Sequence, residues 1–206
     1  MLSNDPAALA AARVIAKQSL KYFTQYMFKA RKGYAWRNNW HHDEICKALE
    51  RVYRGECKRL IINIPPRYSK TEIAVVNFIA WCFAQAPDCE FIHASYSATL
   101  AGNNLSNVRD LVTHESYQEL FPEVGIDRSS SAKAHWKTTA GGVAYASGTK
   151  GTITGFGAGK MRDGFGGAVI IDDAHKADVL RQLAAELPTM FTTTQQAQPP
   201  ALTPAT

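Results

Sequence analysis

The 206-residue chain reads as an α/β fold: a three-layer sandwich with a mainly parallel sheet, preceded by N-terminal helices. Three observations predict it. Short apolar runs at 60–64, 90–95, 143–147 and 168–171 alternate with stretches of helical periodicity, the order in which βαβ units lay down parallel strands. The first run is followed by a turn and Lys70-Thr71, and the last ends in Asp172-Asp173. Parallel sheets collect ligands at the carboxyl ends of their strands, where both polar pairs fall. A composition of 46% apolar and 20% charged residues belongs to a globular chain with a core.

In chain order, residues 6–30 space Leu9, Val14, Leu20, Phe23, Tyr26 and Met27 as one amphipathic helix. An aromatic, basic connector with Tyr34, Trp36 and Trp40 follows, and residues 42–53 form a second helix stopped near Gly55. The apolar run 60–64 is expected as a strand that Pro65-Pro66 cannot continue. From Lys70 to about Phe83 the spacing of Ile73, Val76, Phe78, Ile79 and Trp81 is helical. Strands are expected at 90–95, 143–147 and 168–171, the last one buried, with a helix over 100–112. Residues 149–167 carry seven glycines and read as a mobile loop feeding the acidic strand. Beyond Glu186 no residue is charged, and 187–206 holds six Thr and four Pro, a composition expected to be disordered.

Several function classes drop out. No stretch approaches the roughly 20 apolar residues of a membrane helix, and Arg13, Lys17 and Lys21 interrupt the N-terminal apolar face, so the expected setting is cytoplasmic. Cys46, Cys57, Cys82 and Cys89 form no CxxC pair and read as free thiols. His41-His42-Asp43-Glu44 cannot converge on one ion, because adjacent helical residues diverge by roughly 100°, so it reads as a helix start. Residues 1–60 hold twelve Lys or Arg against five Asp or Glu, which suits either a phosphate-backbone partner or a solvated helix face.

The chemistry rests on two segments. In Pro65-Pro66-Arg67-Tyr68-Ser69-Lys70-Thr71, backbone N–H groups of the turn could cradle phosphate at a helix N-terminus. There Lys70 would reach the β- and γ-phosphates of ATP, Thr71 would ligate Mg2+, and Arg67 would add a second cation. The usual GxxxxGK[ST] pattern has glycines where Ile64 and Ser69 stand. In the second segment Asp172 would hold the hydrated Mg2+, and Asp173 would orient water in the place of the more usual Glu. Arg67, Arg109 and Arg162 are all open as the transition-state arginine. Ser95-Tyr96-Ser97 suits either lining the same crevice or simply ending a strand. Trp36 and Trp40 suit either stacking on adenine or packing under the N-terminal helix.

These residues together resemble the large terminase subunit of tailed bacteriophages, the ATPase that drives DNA into procapsids. The resemblance runs from about Trp40 to Lys176, some two thirds of the chain. It passes through His41-His42, Pro65 to Thr71, Ala94-Ser95-Tyr96-Ser97, Phe121-Pro122, Thr152-Ile153-Thr154-Gly155 and Ile170 to Lys176. It implies an ASCE-type P-loop ATPase core with Lys70, Thr71, Asp172 and Asp173 in the roles above. It also implies double-stranded DNA, a small terminase subunit and a portal protein as partners, and a homo-oligomeric ring. The family shows Gly where Ser69 stands and Pro where Ala174 stands, and it continues into a coupling motif and a nuclease domain.

The expected organisation is therefore a basic helical region at 1–57, an incomplete ATPase core at 58–182 and a tail at 183–206 unlike the family, from a truncated or frameshifted frame. Nuclease activity is not expected, since Asp172-Asp173 is the sole acidic cluster for metals. A remnant that binds nucleotide or DNA without hydrolysis, and another P-loop enzyme such as a helicase, are the competing readings.

Overall fold

The computed structural model describes residues 5–148 and 157–175. The first half of the glycine-rich segment and everything after His175 lie outside the described residues, and with them the expectations of a mobile loop, a disordered tail and a truncated frame. Residues up to Ala174 form one compact unit.

The N-terminal periodicity expected as one helix is two. Helix α1 (Pro6–Gln18) and helix α2 (Leu20–Lys32) part at Ser19, whose backbone is extended and whose hydroxyl accepts from Tyr22 N. Ser19 thus ends one helix and caps the next, a device that an apolar stripe running through the junction conceals. Helix α2 stops at Gly33, which takes the left-handed conformation at φ 78°. Helix α3 (Trp40–Tyr53) starts from a capping box in which Asn39 and His42 exchange bonds with each other's backbone. That assigns His42 to the helix start rather than to a metal.

Residues 60–64 join no sheet, contrary to the strand expected there. They run irregularly past the sheet, and Ile61 is 92% exposed. A π-helical segment (Glu72–Asn77) then passes directly into helix α4 (Phe78–Gln85), which is buried along its length. Strand β1 (Glu90–Ser95) leads to helix α5 (Ala98–Val112), capped by Ser97 Oγ, and to a short helix α6 (Glu115–Leu120). Strands β2 (Ile126–Ala132), β3 (His135–Thr138), β4 (Val143–Gly148) and β5 (Gly167–Ile171) complete the sheet.

Sheet order is β2-β3-β4-β1-β5. Strands β4 and β5 flank β1 in parallel, while β3 is antiparallel to both β2 and β4. Four strands therefore run one way and β3 alone runs the other. This is a mixed α/β sheet, mostly parallel, carrying an antiparallel hairpin that the sequence reading missed. The β2 sequence, IDRSSSA, has no apolar alternation to announce a strand. Strand β5, expected to be buried, is the end strand: Val169 and Ile171 are 55% and 63% exposed.

Helices α4 and α5 cover one sheet face. His93 of β1 meets Asn104 of α5, Trp136 of β3 donates to Leu105 O, and Phe83 of α4 packs against Phe91 and Trp136. The N-terminal helices join the same core: Trp81 donates to Ala16 O at 2.8 Å, and Phe23 packs on Tyr117 and Phe121. All four cysteines are free thiols; burial pushes Cys46 up to about 12 and Cys89 up to about 11.

Candidate functional site

Residues 64–71 turn sharply between the irregular segment and the helix. Two of them, Arg67 (φ 68°) and Ser69 (φ 62°), adopt the left-handed conformation that non-glycine residues avoid at a cost of roughly 1–2 kcal/mol each. Left-handed residues of this kind, when they alternate with right-handed ones, can turn successive backbone N–H groups to one side, an arrangement that suits an anion. Ser69 thus takes on the backbone shape that a glycine supplies at this place in the usual loop. Its carbonyl accepts from Ile73 N at 3.0 Å, which starts the helix directly after the turn.

Across the sheet end, β5 delivers the carboxylates. Asp172 N donates to Ala94 O and Tyr96 N donates to Asp173 O, so the end of β1 fixes the backbone of the acidic pair. Ser95 Oγ also donates to Asp173 O, at 3.4 Å. Ser95 and Tyr96 are therefore positioning residues, and Ser97 serves as the α5 cap. Asp173 itself is left-handed, at φ 48°.

The two segments meet. Thr71 Oγ1 donates to Asp172 Oδ2 at 2.5 Å, and Lys70 Nζ lies 3.1 Å from Asp172 Oδ1 and 3.3 Å from Asp173 Oδ1. Asp172 is 7% exposed. Burial lowers the affinity of Lys70 for its proton, but the bonds and charges of Asp172 and Asp173 outweigh it, and the ammonium is held above its ordinary value. Beside this cluster lies a cavity of about 390 Å³ lined by Pro66, Arg67, Ser69, Lys70, Thr71 and Asp173 among others. A hydroxyl and a carboxylate brought together offer hard oxygen donors of the kind Mg2+ takes. The lysine and the turn's N–H groups offer the complement of a phosphate chain. The donor set therefore fits a Mg2+–nucleotide.

Of the three arginines, only Arg67 borders this cavity. Arg162 pairs with Asp88 at 2.6 Å, just before the start of β1 and so at the opposite end of the sheet. Arg109 lies in the last turn of α5, which begins beside the site and runs away from it for fifteen residues. Neither reaches this site within one chain. Tyr68 does not line the cavity; its ring stacks edge-on against His41 at 5.3 Å, joining the loop to α3. Trp36 is packed, donating to His42 Nδ1 and touching Phe28, whereas Trp40 is 74% exposed close by. Burial and the neighbouring His41 lower the affinity of His42 for a proton.

Sequence reasoning missed Glu72. It lines the same cavity, pairs with Arg31 of α2 at 2.9 Å and accepts from buried Asn77 at 3.1 Å. The Asn77 amide also donates to Glu72 O, bracing the π-helical segment, a geometry that often marks functional sites. Nothing in the sequence spacing announces a π-turn.

The chain matches no protein-family model, no curated protein and no solved structure.

Proposed function

We propose that this chain is the ATPase core of a phage-type DNA-packaging motor, a P-loop NTPase that hydrolyses Mg2+-ATP and acts on double-stranded DNA. One observation carries the reading. Lys70 and Thr71 converge with Asp172 and Asp173, about a hundred residues away, at the carboxyl end of a parallel strand beside a turn with two left-handed residues. In this reading Lys70 binds the β- and γ-phosphates, Thr71 and Asp172 hold Mg2+, and Asp173 orients the attacking water. Arg67, which borders the same cavity, would supply a second cation to the γ-phosphate. The terminase assignment rests on the sequence resemblance, and with it come a small terminase subunit, a portal protein and a ring of copies as partners. The basic N-terminal helices are the surface suited to the DNA backbone.

A second reading has a specific observation in its favour. Residues 60–64 do not enter the sheet, so no strand leads into the phosphate loop, which is held instead by packing of Ile62 and Ile64 on the core and by the Tyr68–His41 contact. Such a loop can bind nucleotide yet hold it too loosely for turnover, since roughly 1 Å of misplacement can cost on the order of a hundredfold in rate.

Steady-state ATP hydrolysis by the chain, with and without duplex DNA, tests both. DNA-stimulated turnover lost in Lys70→Ala and in Asp172→Ala supports the motor. Binding that depends on Lys70 without turnover supports the second reading. Absence of binding overturns both.

A further inference from the structure

Strand β5 closes the sheet on the side away from the hairpin, and nothing in the described chain pairs with its outer edge. Gly166 O accepts from Glu90 N, and Asp172 N donates to Ala94 O. The N–H and C=O of one strand residue point the same way and alternate along the strand, so Ala168 and Ile170 face β1. Those of Val169 and Ile171 face outward, into a cavity of about 1150 Å³. The opposite wall is the irregular segment at Leu60, Ile61 and Ile62, and Val75 and Phe78 also line the cavity.

This slot is unlike a blunted edge. Natural sheet edges carry charges, prolines or bulges that discourage pairing, and β5 (GAVII) has none of these. Val169, Ile171 and Ile61 leave branched apolar side chains 55%, 63% and 92% exposed around it. The cavity runs along all five residues of β5 (Gly167–Ile171), roughly 16 Å at about 3.3 Å per residue, so it is long enough for a short strand. Lys58 and Arg59 line it too, and neither has a carboxylate partner among the described residues. The contact of Tyr53 with Phe165 places the chain leaving α3 near the start of β5.

We propose that this slot is a strand-addition site for an extended polypeptide segment of a partner, apolar at alternate positions and acidic at the end that meets Lys58 and Arg59. Backbone bonds to Val169 and Ile171 supply affinity, and the alternating side chains and terminal acid supply selectivity. The inference does not depend on nucleotide chemistry.

The test uses the full chain and a fluorescein-labelled peptide, Asp-Asp-Val-Thr-Val-Thr-Val-Thr, read by anisotropy and by amide exchange without nucleotide. Saturable binding is expected, at least tenfold weaker for the same peptide N-methylated at alternate residues and for the double variant Lys58→Glu, Arg59→Glu. Val169→Pro removes a donor that faces the slot rather than β1, and it should weaken binding as much. Bound peptide should slow exchange at Val169 and Ile171 at least tenfold. Four results each overturn the proposal: no saturable binding; equal binding of the N-methylated peptide; Val169 and Ile171 amides already protected in the free monomer; or protection that appears only on self-association, which would make a second copy the occupant. Should Val169→Pro unfold, the N-methylated peptide and the charge-reversed variant decide the matter.

Discussion

Without ligand, Lys70 is the counter-ion of Asp172, and removing it should cost stability that can be worked out from the geometry. At 3.1 Å and an effective dielectric of about 20 the attraction is roughly 5 kcal/mol. The second contact, 3.3 Å to Asp173, adds only about 1 kcal/mol at a water-like dielectric, because that carboxylate is 53% exposed. Desolvating both partners offsets most of this sum. Losing one member of a fully buried pair costs about 3–5 kcal/mol through the charge left behind. Here the Lys70 side chain retains 28% exposure and Thr71 still donates to Asp172, so about 2 kcal/mol is expected for Lys70→Met. Asp172→Asn should cost a similar amount. The double variant should cost clearly less than the sum, with a coupling of about 1–2 kcal/mol. Urea unfolding of the four proteins at pH 7, followed by circular dichroism, measures this. Additivity within about 0.3 kcal/mol would refute the pairing, and with it the convergence on which the functional proposal stands.

Ser69→Gly should raise stability by about 0.5–1 kcal/mol in the same assay, because glycine accepts φ 62° without the steric penalty serine bears. If the loop cradles phosphate, nucleotide affinity in that variant should be kept or improved, as calorimetry would record. Gly167→Ala should destabilise by about 2–4 kcal/mol, since a Cβ there would run into Glu90 O and β5 must part from β1 to admit it. The hydrogen bond and charge of Arg162 hold Asp88 below its ordinary value. The folded state therefore binds fewer protons than the unfolded one. The pair's contribution is complete above about pH 4 and is lost as pH falls through the depressed value. In Arg162→Ala, a carboxyl titration followed by NMR should show Asp88 moving upward, toward the ordinary range.

What the sequence disclosed was local. The helical spacing of 70–83, the apolar run at 90–95 and the Lys-Thr and Asp-Asp pairs each follow from neighbours a few residues apart, and the structure contains each of them. Mistakes arose where tertiary context decides. Ser19 reads as one more polar position of a helix, although its hydroxyl makes it a boundary. The β2–β3 hairpin lacks the alternation that exposes a strand, and it is held by pairing with β4 instead. Arg109 and Arg162 are equivalent to Arg67 as cations in a string of letters, and only topology places them away from the loop.

The run at 60–64 is the most instructive miss, because its residues favour a strand as strongly as those of β5 do. A strand requires a partner at about 4.8 Å, and propensity cannot supply one. In the structure both apolar runs are present, facing each other across a gap that neither fills. The 65–71 turn follows one wall of that gap and the Asp pair ends the other, so the gap lies directly behind the candidate site. An added strand there would convert two loosely related walls into one sheet and fix the distance from Ser69 to Asp173. If the chain by itself binds nucleotide without turnover, the cause to examine first is this gap rather than the serine that replaces a glycine. The two explanations separate cleanly: Ser69→Gly alters the loop and leaves the gap, whereas a slot-binding peptide closes the gap and leaves the loop unaltered.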